Sequence, residues 1–579
     1  MNGRMPIGYV VRVDGVEVTL NLLDLHKGHL TSHQYGISGV TEVGSLLLVP
    51  YASNSLVLKV MSLSFDEPRE AHRYGIGTNA QHNDPLRNIK CVVVGRLERA
   101  SGELSFFNEC VATPALGVEV FPLVLDELQS VLCGNQQPGP KVCLGRDLRG
   151  GGDLSIGITD LVARHVAVLG SSGQGKSCFT AAILQQLVRL PRSRIVIFDL
   201  NGEYTNAFDL EGLPVGAVKK TAMGGGEPGS FKIPYYALGR HGLHRLLVPS
   251  EKTQRPALTF ALENLHKVRW FPTQAGAGLV EDQNATLFSD CRPIGADIAH
   301  TKINAIRSGA ARDALCWPHM NALASLVAES HGIQPVRGGG QERNAFAYSN
   351  ISPLITRINR LVEDPMFCEV VDVHGSEADG RPLNWSQESK ALVGELFGTH
   401  ESTWRIHVID FRRLPQDLSP FVLGSLLELY AYELFERGQD EKIPTLLVLE
   451  EAHHYMRPTG SVEDNMGASL AYERLAKEGR KFGLALWLST QRPSEISPTV
   501  LSQCNNWVVF RLTSEKDIAA VSAASEWSDR RELKRITGLP RRTAMIFGGS
   551  VSMPSMIVSP EAIPRPNSSD ADFDSWIDG

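Results

Sequence analysis

The sequence predicts an α/β fold organised around a phosphate-binding loop, with a small β-barrel before the loop and a mostly helical insertion after it. Three observations support this prediction. The motif G-x-x-x-x-G-K-[ST] occurs at Gly170–Ser177, between a strand-like and a helix-like segment. Short strand-like segments with turn signals fill roughly the first 130 residues. After the loop, apolar runs that end in polar residues recur, as in the buried strands of a parallel sheet.

The phosphate-binding loop predicts a nucleotide site. Its glycines let the backbone wrap phosphates, and the amide groups and helix N-terminus then face negative charge. Lys176 is suited to reach the β- and γ-phosphates of ATP, and the Ser177 hydroxyl is suited to ligate Mg²⁺. A chance Gly/Ser turn is the alternative, but the strand–loop–helix context opposes it. The predicted nucleotide-binding residues are Gly170, Ser171, Ser172, Gly173, Gln174, Gly175, Lys176, Ser177 and Cys178.

The N-terminal segment is predicted to form a small closed barrel. Ile7–Val13 and Val16–Leu20 flank Asp14-Gly15, the pattern of a β-hairpin with a tight turn. Further short strands follow at close spacing. No catalytic constellation occurs in residues 1–135, so we interpret this segment as an assembly or docking module.

The remaining boundaries follow from changes in composition. Gly/Pro-rich patches at 134–140 and 149–152 indicate linkers, and glycine runs flank a helical stretch after residue 205. Asp372, His374 and Glu377 are interpreted as solvated side chains, not a metal site. The predicted segments are a barrel (1–135), a core (136–205 and 401–550), a helical insertion (206–400) and a C-terminal strap with an acidic tail (551–579).

A second motif supplies the acidic half of the predicted site. The apolar run Leu446–Leu449 ends in Glu450 and Glu451. In a phosphate-loop enzyme, one such carboxylate holds the Mg²⁺ shell and the other orients the attacking water. We assign Glu450 to the metal and Glu451 to the water. Two charged residues at a strand exit would be ordinary in isolation.

Three further segments contain candidate functional residues. Gln491 lies in the polar end that follows the apolar run Leu484–Leu488 and is predicted to sense the γ-phosphate. Arg480, or alternatively Arg474, is predicted to reach the ATP of a neighbouring subunit as an arginine finger. These basic residues could equally form a solvated helix face. Asp199 ends another buried run, where an active-site edge and a simple strand exit are about equally plausible.

Composition is that of an ordinary globular protein, at 42% hydrophobic and 21% charged residues. No apolar run approaches the roughly 18 residues of a membrane span, and no secretory signal is evident. The nine cysteines contain no C-x-x-C pair, which favours free thiols in a reducing, cytoplasmic compartment. The net charge of −7 argues against a uniformly basic nucleic-acid surface but leaves a local basic lining open.

The motifs together resemble those of the HerA family of hexameric DNA-translocating ATPases, in the HerA/FtsK group of RecA-like P-loop proteins. The resemblance spans most of the chain. The residues that carry it are His165–Gly170, Asp199 with Gly202-Glu203-Tyr204, Glu450-Glu451-Ala452-His453, Glu478–Gly483, Thr490–Ser494 and Ser502-Gln503-Cys504. The sequence departs from common members at Gln174 of the loop and at Glu450, where many P-loop enzymes have Asp.

This resemblance implies a RecA-like core and a homohexameric ring with ATP and Mg²⁺ between subunits and double-stranded DNA in the pore. It also implies a partner, either a NurA-like nuclease in recombination-linked systems or a sirtuin-like or other effector in phage defence. One alternative is an ATP-regulated hexameric scaffold that activates such an effector, with translocation secondary. Another is a hexameric protein or peptide remodeller, which the acidic net charge keeps open.

Overall fold

The computed structural model describes the chain in 18 stretches, which comprise two compact units. The described residues are 4–23, 30–33, 36–39, 42–65, 87–100, 103–108, 112–134, 139–148, 152–225, 230–265, 288–289, 292–293, 319–335, 337, 341–374, 385–458, 471–525 and 530–568. The first unit comprises Met1–Ile183, Asn505–Thr513 and Ser525–Glu561. The second comprises Leu184–Cys504, Ser514–Ala524 and Ala562–Gly579.

The N-terminal part of the first unit is a closed β-barrel, as the sequence predicted. Pairing of Glu17–Leu22 with Arg87–Ala100 closes six strands of a seven-stranded sheet. The predicted hairpin is present, with Asp14 opposite Glu17 and Gly15 at φ +61° in the turn. The strand order is Glu17–Leu22, Gly8–Asp14, Glu119–Pro122, Leu46–Tyr51, Asn54–Phe65, Arg87–Ala100 and Glu103–Phe107. Alternate apolar side chains fill the interior, among them Val10, Val18, Leu20, Leu47, Leu58 and Ile89.

The rest of the first unit contains six further strands. Its strands lie in the order Asp153–Gly157, Lys141–Asp147, Ser555–Val558, Thr543–Gly548, Cys504–Val509 and His165–Leu169. The other elements described in this unit are the helices Leu125–Cys133, Ile158–Val162 and Arg530–Leu533, the first part of the helix Lys176–Leu187, the 3-10 helix Lys534–Gly538, and the antiparallel pair of Leu30–His33 with Gly36–Gly39.

Four of these strands, Thr543–Gly548 among them, lie in segments to which the sequence assigned no strand. Lys141–Asp147 and Asp153–Gly157 follow the two predicted linkers. Ser555–Val558 lies within the range predicted to be a C-terminal strap. These short strands pair with one another across the chain, with Arg146 opposite Val558. Such pairing depends on partners distant in sequence, which local patterns do not reveal.

The second unit contains six strands with parallel pairing between neighbours. Their order is Leu484–Thr490, Thr445–Leu449, Ile195–Asp199, Ile406–Asp410, Val218–Met223 and Ser230–Phe231. The strand Val218–Met223 falls inside the range predicted to be a helical insertion, yet it belongs to this sheet. Since parallel strands end at a common edge, the polar residues at their carboxyl ends are collected there.

Helices account for most of the remaining described part of the second unit. They include Gln254–Asn264, Ala322–Gly332 and Ser419–Arg437, the last of which begins with a Ser-Pro pair, a common helix-start signal. The other α-helices are Gly239–Leu247, Ala345–Glu363, Pro365–Val370, Trp385–Phe397, Ala471–Glu478, Pro498–Leu501 and Glu515–Ala524. The 3-10 helices are Tyr235–Leu238, Ala452–His454, Gly479–Phe482 and Pro493–Glu495.

Small two-stranded pairs complete the described insertion. They are Ile233–Pro234 with Val371–Asp372, Phe288–Ser289 with Arg292–Pro293, and Ile333–Pro335 with Gln341–Arg343. Among the described helices, none combines the length and the apolar character that crossing a membrane would require.

The C-terminal segment contacts its own chain as far as it is described. The Gln185 side-chain amide donates to the Pro564 carbonyl at 2.8 Å, and the Asn567 amide donates to the Glu203 carbonyl at 2.8 Å. The acidic tail at 570–578 lies outside the described residues.

Candidate functional site

The phosphate-binding loop lies in the first unit, between the strand His165–Leu169 and the helix Lys176–Leu187. All five strand residues are buried. Gly170 is required where the strand ends, because a Cβ there would lie 2.6 Å from the Cβ of Phe510. The loop therefore has the strand–loop–helix geometry that its motif predicted.

Two neighbouring segments of the same unit hold the loop backbone in shape. The Ser171 amide donates to the Arg511 carbonyl at 2.9 Å, and the Arg542 amide donates to the Gln174 carbonyl at 3.0 Å. The Phe179 ring meets the Phe510 ring edge to face, with centroids 5.9 Å apart. These contacts support the loop from the side of the strand Cys504–Val509.

The Lys176 side chain folds back over the phosphate-binding loop. Its ammonium group donates to the Ser171 carbonyl at 3.2 Å, and its side chain is largely buried. Ser177 and Cys178 follow in the first turn of the helix and are half-buried. Binding of a triphosphate would give the ammonium group a stronger, anionic partner than this carbonyl.

Glu450 lies at the end of the buried strand Thr445–Leu449 in the second unit and is itself only 5% exposed. The Tyr204 hydroxyl donates to its carboxylate, and the Tyr455 hydroxyl donates to its backbone carbonyl at 3.1 Å. Burial raises the pKa of Glu450 to about 7, although the Tyr204 hydrogen bond opposes that rise.

By their chemistry, Glu450 in the second unit and Ser177 in the first are each suited to contribute to a magnesium site. Both offer the oxygen ligands that Mg²⁺ prefers. Within the described residues, no lysine, arginine or histidine forms an ion pair with Glu450, so its buried charge is left without a cation. Such a carboxylate gains from a nearby divalent cation, which stabilises its ionised form.

Glu451 is linked through one histidine to the tip of the neighbouring strand. Its carboxylate lies 3.2 Å from Nδ1 of His453, and the same nitrogen lies 3.0 Å from the Thr490 hydroxyl. The Thr490 hydroxyl also accepts from the Arg492 amide at 3.0 Å. His453 is buried, so these contacts fix its ring. His453 belongs to one of the motifs that carry the family resemblance, but its sequence position alone indicated no role for it.

We expect replacement of His453 by Ala to lower the ATP turnover number about ten- to a hundredfold, with a small effect on the Michaelis constant for ATP. The reason is that Glu451 would lose the contact that orients its carboxylate. Steady-state phosphate release measures this. His454→Ala is the matched control, since the His454 ring packs against His453 at 4.2 Å and its hydrogen bond to the Glu451 carbonyl comes from the backbone amide, which alanine retains. Wild-type turnover in folded His453→Ala protein would contradict the expectation.

Asp199 organises the loop that supplies Tyr204. Its two carboxylate oxygens accept from the amides of Glu203 and Tyr204, at 3.0 and 2.8 Å. Burial raises the pKa of Asp199 to about 6, and the nearby Asp410 carboxylate adds to that rise. Asp410 is opposite Asp199 in the parallel pair and is held by Arg412 at 2.6 Å. Asp410 was not among the residues singled out from the sequence, although it ends a buried strand in the same way as Asp199 does.

The candidate arginines and Gln491 differ in their surroundings. Arg480 is exposed in the 3-10 helix Gly479–Phe482, and its side chain makes no hydrogen bond or ion pair within the described part of the chain. Arg474 is engaged, with its guanidinium 3.9 Å from the Phe435 ring centroid and 3.5 Å from Glu478. Gln491 follows the strand Leu484–Thr490 and is half-buried.

Asp372 and His374, which the sequence analysis interpreted as solvated side chains, lie in the insertion. The His374 amide donates to the Asp372 carboxylate at 2.9 Å, and the His374 ring lies 5.2 Å from the His319 ring. Glu377 lies outside the described residues. The described residues contain no group of three or more His, Cys, Asp or Glu side chains that could hold a metal ion.

Comparison with known proteins points to one family. A family model described as "Helicase HerA, central domain" matches residues 142–306. A DNA double-strand break repair helicase HerA from Pyrococcus furiosus is 25% identical over 409 residues, which is 70% of this chain and 66% of that protein. A probable helicase from Methanocaldococcus jannaschii is 29% identical over 184 residues, covering 30% of this chain and 35% of that protein. The matched part thus spans about one third to two thirds of these relatives.

Solved structures with similar folds include VirB4 of Thermoanaerobacter pseudethanolicus, with 17% identity and a TM-score of 0.46. The similarity covers 74% of this chain and 98% of that structure. The plasmid coupling protein TrwB has 13% identity and a TM-score of 0.43, over 75% of this chain and 98% of that structure.

Proposed function

The chain belongs to the HerA family of P-loop ATPases, and on that premise we propose that it couples ATP hydrolysis to movement along double-stranded DNA. The observation that carries the proposal is the pair of motifs, a loop shaped for phosphates and a buried strand that ends in two carboxylates. DNA is chosen as the substrate because the Pyrococcus furiosus relative is named as a DNA repair helicase.

In this proposal each site residue has a distinct task. The loop amides and Lys176 hold the phosphates, and Lys176 gives up its contact with the Ser171 carbonyl to do so. Glu451 orients and polarises the attacking water, with His453 fixing its carboxylate. Gln491, at the tip of the strand that carries Thr490, reports the state of the γ-phosphate.

Ser177 and Glu450 would hold the magnesium ion. When bound, Mg²⁺ neutralises charge on the β- and γ-phosphate oxygens. The Tyr204 hydroxyl donates to one oxygen of the Glu450 carboxylate, and this hydrogen bond restricts the orientations in which the carboxylate could bind a metal ion. Where many P-loop enzymes have Asp, this chain therefore has a longer Glu450 side chain that is held by a hydrogen bond from Tyr204.

We further propose a homohexamer in which Arg480 acts on the ATP of the adjacent subunit. The Arg480 guanidinium is exposed and has no ion-pair partner among the described residues, so it is available to stabilise transferred charge, whereas Arg474 is held by Phe435 and Glu478. In this arrangement the cytoplasmic ring works with a NurA-like nuclease or a sirtuin-like effector, in DNA end processing or phage defence.

Arg480→Ala is expected to reduce turnover by about a thousandfold or more while ATP binding persists, because an arginine finger acts mainly on the transition state. Arg474→Ala is the control and should retain most activity, since its contacts lie on the helix surface. Mixing Arg480→Ala with Glu451→Gln subunits adds a test of action between subunits. Sites that combine wild-type copies of both residues should restore part of the activity, whereas no recovery in mixed assemblies would contradict action in trans.

The proposed function is tested by ATP hydrolysis with and without duplex DNA across a salt series. We expect stimulation by duplex DNA that falls steeply with salt, as backbone phosphate contacts require. Stimulation by unfolded polypeptide but not by DNA would instead indicate a protein remodeller. If DNA stimulates hydrolysis but the protein alone displaces no DNA-bound roadblock, the ATP-regulated scaffold that activates an effector is favoured.

A further inference from the structure

Arg542 lies beside the phosphate-binding loop in a backbone conformation that an arginine seldom adopts. Four non-glycine residues in the described part of the chain have a positive φ, and two of them are Glu451 and Arg542, at +44° and +62°. Glycine takes this left-handed conformation without a steric penalty, whereas a side chain with a Cβ does not. Strained residues of this kind concentrate at functional sites, which directs attention to the Arg542 side chain.

The backbone of Arg542 explains why this position is tightly constrained. Its amide donates to the Gln174 carbonyl at 3.0 Å, and its carbonyl accepts from the Ser559 amide at 2.8 Å. Both hydrogen bonds would be available to any residue, since they involve only main-chain atoms. A glycine would therefore support the loop equally well at lower strain, so the backbone does not account for an arginine.

The side chain lies along the loop that is expected to surround the phosphates. A Cβ built on Gly175 would lie 3.6 Å from both Cα and Cγ of Arg542. The Arg542 guanidinium lies 3.8 Å from the Glu561 carboxylate, and both side chains are nearly half exposed. An exposed ion pair at this distance is weak, so the guanidinium can exchange this partner for a stronger anion.

We propose that the Arg542 guanidinium binds the phosphates that ATP and ADP have in common, on the side of the loop formed by Gln174 and Gly175. This assignment rests on the proposed function, because it requires a nucleotide in the loop. The Gly175 amide and its neighbours cradle the inner phosphates, whereas Lys176 extends toward the outer ones. Arg542 is thus a nucleotide-binding residue that no part of the loop motif contains.

The test compares Arg542→Gly with Arg541→Gly in the full-length chain, using fluorescent ATP and ADP analogues with Mg²⁺. Arg541 is the matched control because it is an adjacent, exposed arginine whose φ is not positive. We expect Arg542→Gly to lower the affinity for both nucleotides about tenfold, which is the contribution of one charge-assisted hydrogen bond. Arg542→Lys should lower the affinity less, because lysine keeps the positive charge. Arg541→Gly should bind both analogues nearly as well as the wild type.

Thermal melting without nucleotide separates loss of a ligand contact from damage to the fold. Because glycine relieves the left-handed strain, Arg542→Gly should melt no lower than the wild type despite its weaker binding. The inference is overturned if Arg542→Gly binds both nucleotides normally, if only ATP binding is weakened, or if Arg541→Gly loses affinity equally. It is also overturned if Arg542→Gly melts well below the wild type. Failure of the wild-type protein to bind any nucleotide would overturn the proposed function as well.

Discussion

Replacing Glu451 with Gln is expected to stop ATP hydrolysis while ATP binding persists. Glutamine keeps the size and polarity of the side chain but cannot accept the proton that the attacking water releases. Loss of a positioned general base costs about 100- to 10,000-fold in turnover. The measurement pairs steady-state phosphate release with binding of a fluorescent ATP analogue.

The geometry around Glu451 makes this substitution informative. The carboxylate sits 3.2 Å from Nδ1 of His453, and a glutamine side chain has the same length and can occupy the same position beside the ring. The variant should therefore fold and melt like the wild type. Glu478→Gln is the matched control, an exposed acid whose ion pair with Arg474 is a surface contact. Equal turnover of Glu451→Gln and wild type would show that another residue activates the water.

Replacing Lys176 with Ala is expected to remove both tight ATP binding and hydrolysis. Lys176 supplies the only side-chain cation within the loop motif, and a charge-assisted hydrogen bond to phosphate is worth about ten- to a hundredfold in affinity. The loss of turnover should be larger, since charge on the phosphates develops further in the transition state. Isothermal titration with ATP and Mg²⁺, together with phosphate release, measures both effects.

Nucleotide-induced stabilisation gives a second readout for Lys176→Ala. Saturating ATP should raise the melting temperature of the wild-type protein, because ligand binds the folded state alone. That rise should be absent or much smaller in the variant. Lys220→Ala is the control, an exposed lysine paired with Asp209 at 2.8 Å. An unchanged ATP response in Lys176→Ala would remove the loop from the proposed site.

The two halves of the candidate site differ in how far local sequence could predict them. The phosphate-binding loop and the acidic strand each depend on consecutive residues, a strand followed by a defined turn or by two carboxylates. Their strand and loop positions agree with the sequence prediction. The barrel was likewise predictable, because its hairpin turn and alternating strands are local patterns.

The contacts that orient these groups depend on residues far apart along the chain. Tyr204 reaches Glu450 across 246 positions, and His453 reaches Thr490 across 37. The sequence of Val218–Met223 did not indicate that this segment is a strand of the core sheet, because its position there depends on pairing with Ile406–Asp410. Neither the spacing nor the composition of the sequence specifies such partners.

From the sequence alone came the fold class, the loop with Lys176 and the carboxylates of Glu450 and Glu451, because each is encoded within one short segment. The tertiary structure alone determined which side chains hold those groups. It placed Tyr204 on Glu450, His453 on Glu451 and the strained Arg542 beside the loop. The physical reason is that hydrogen bonds and close packing act over a few ångströms, so they are set by how the chain folds back on itself.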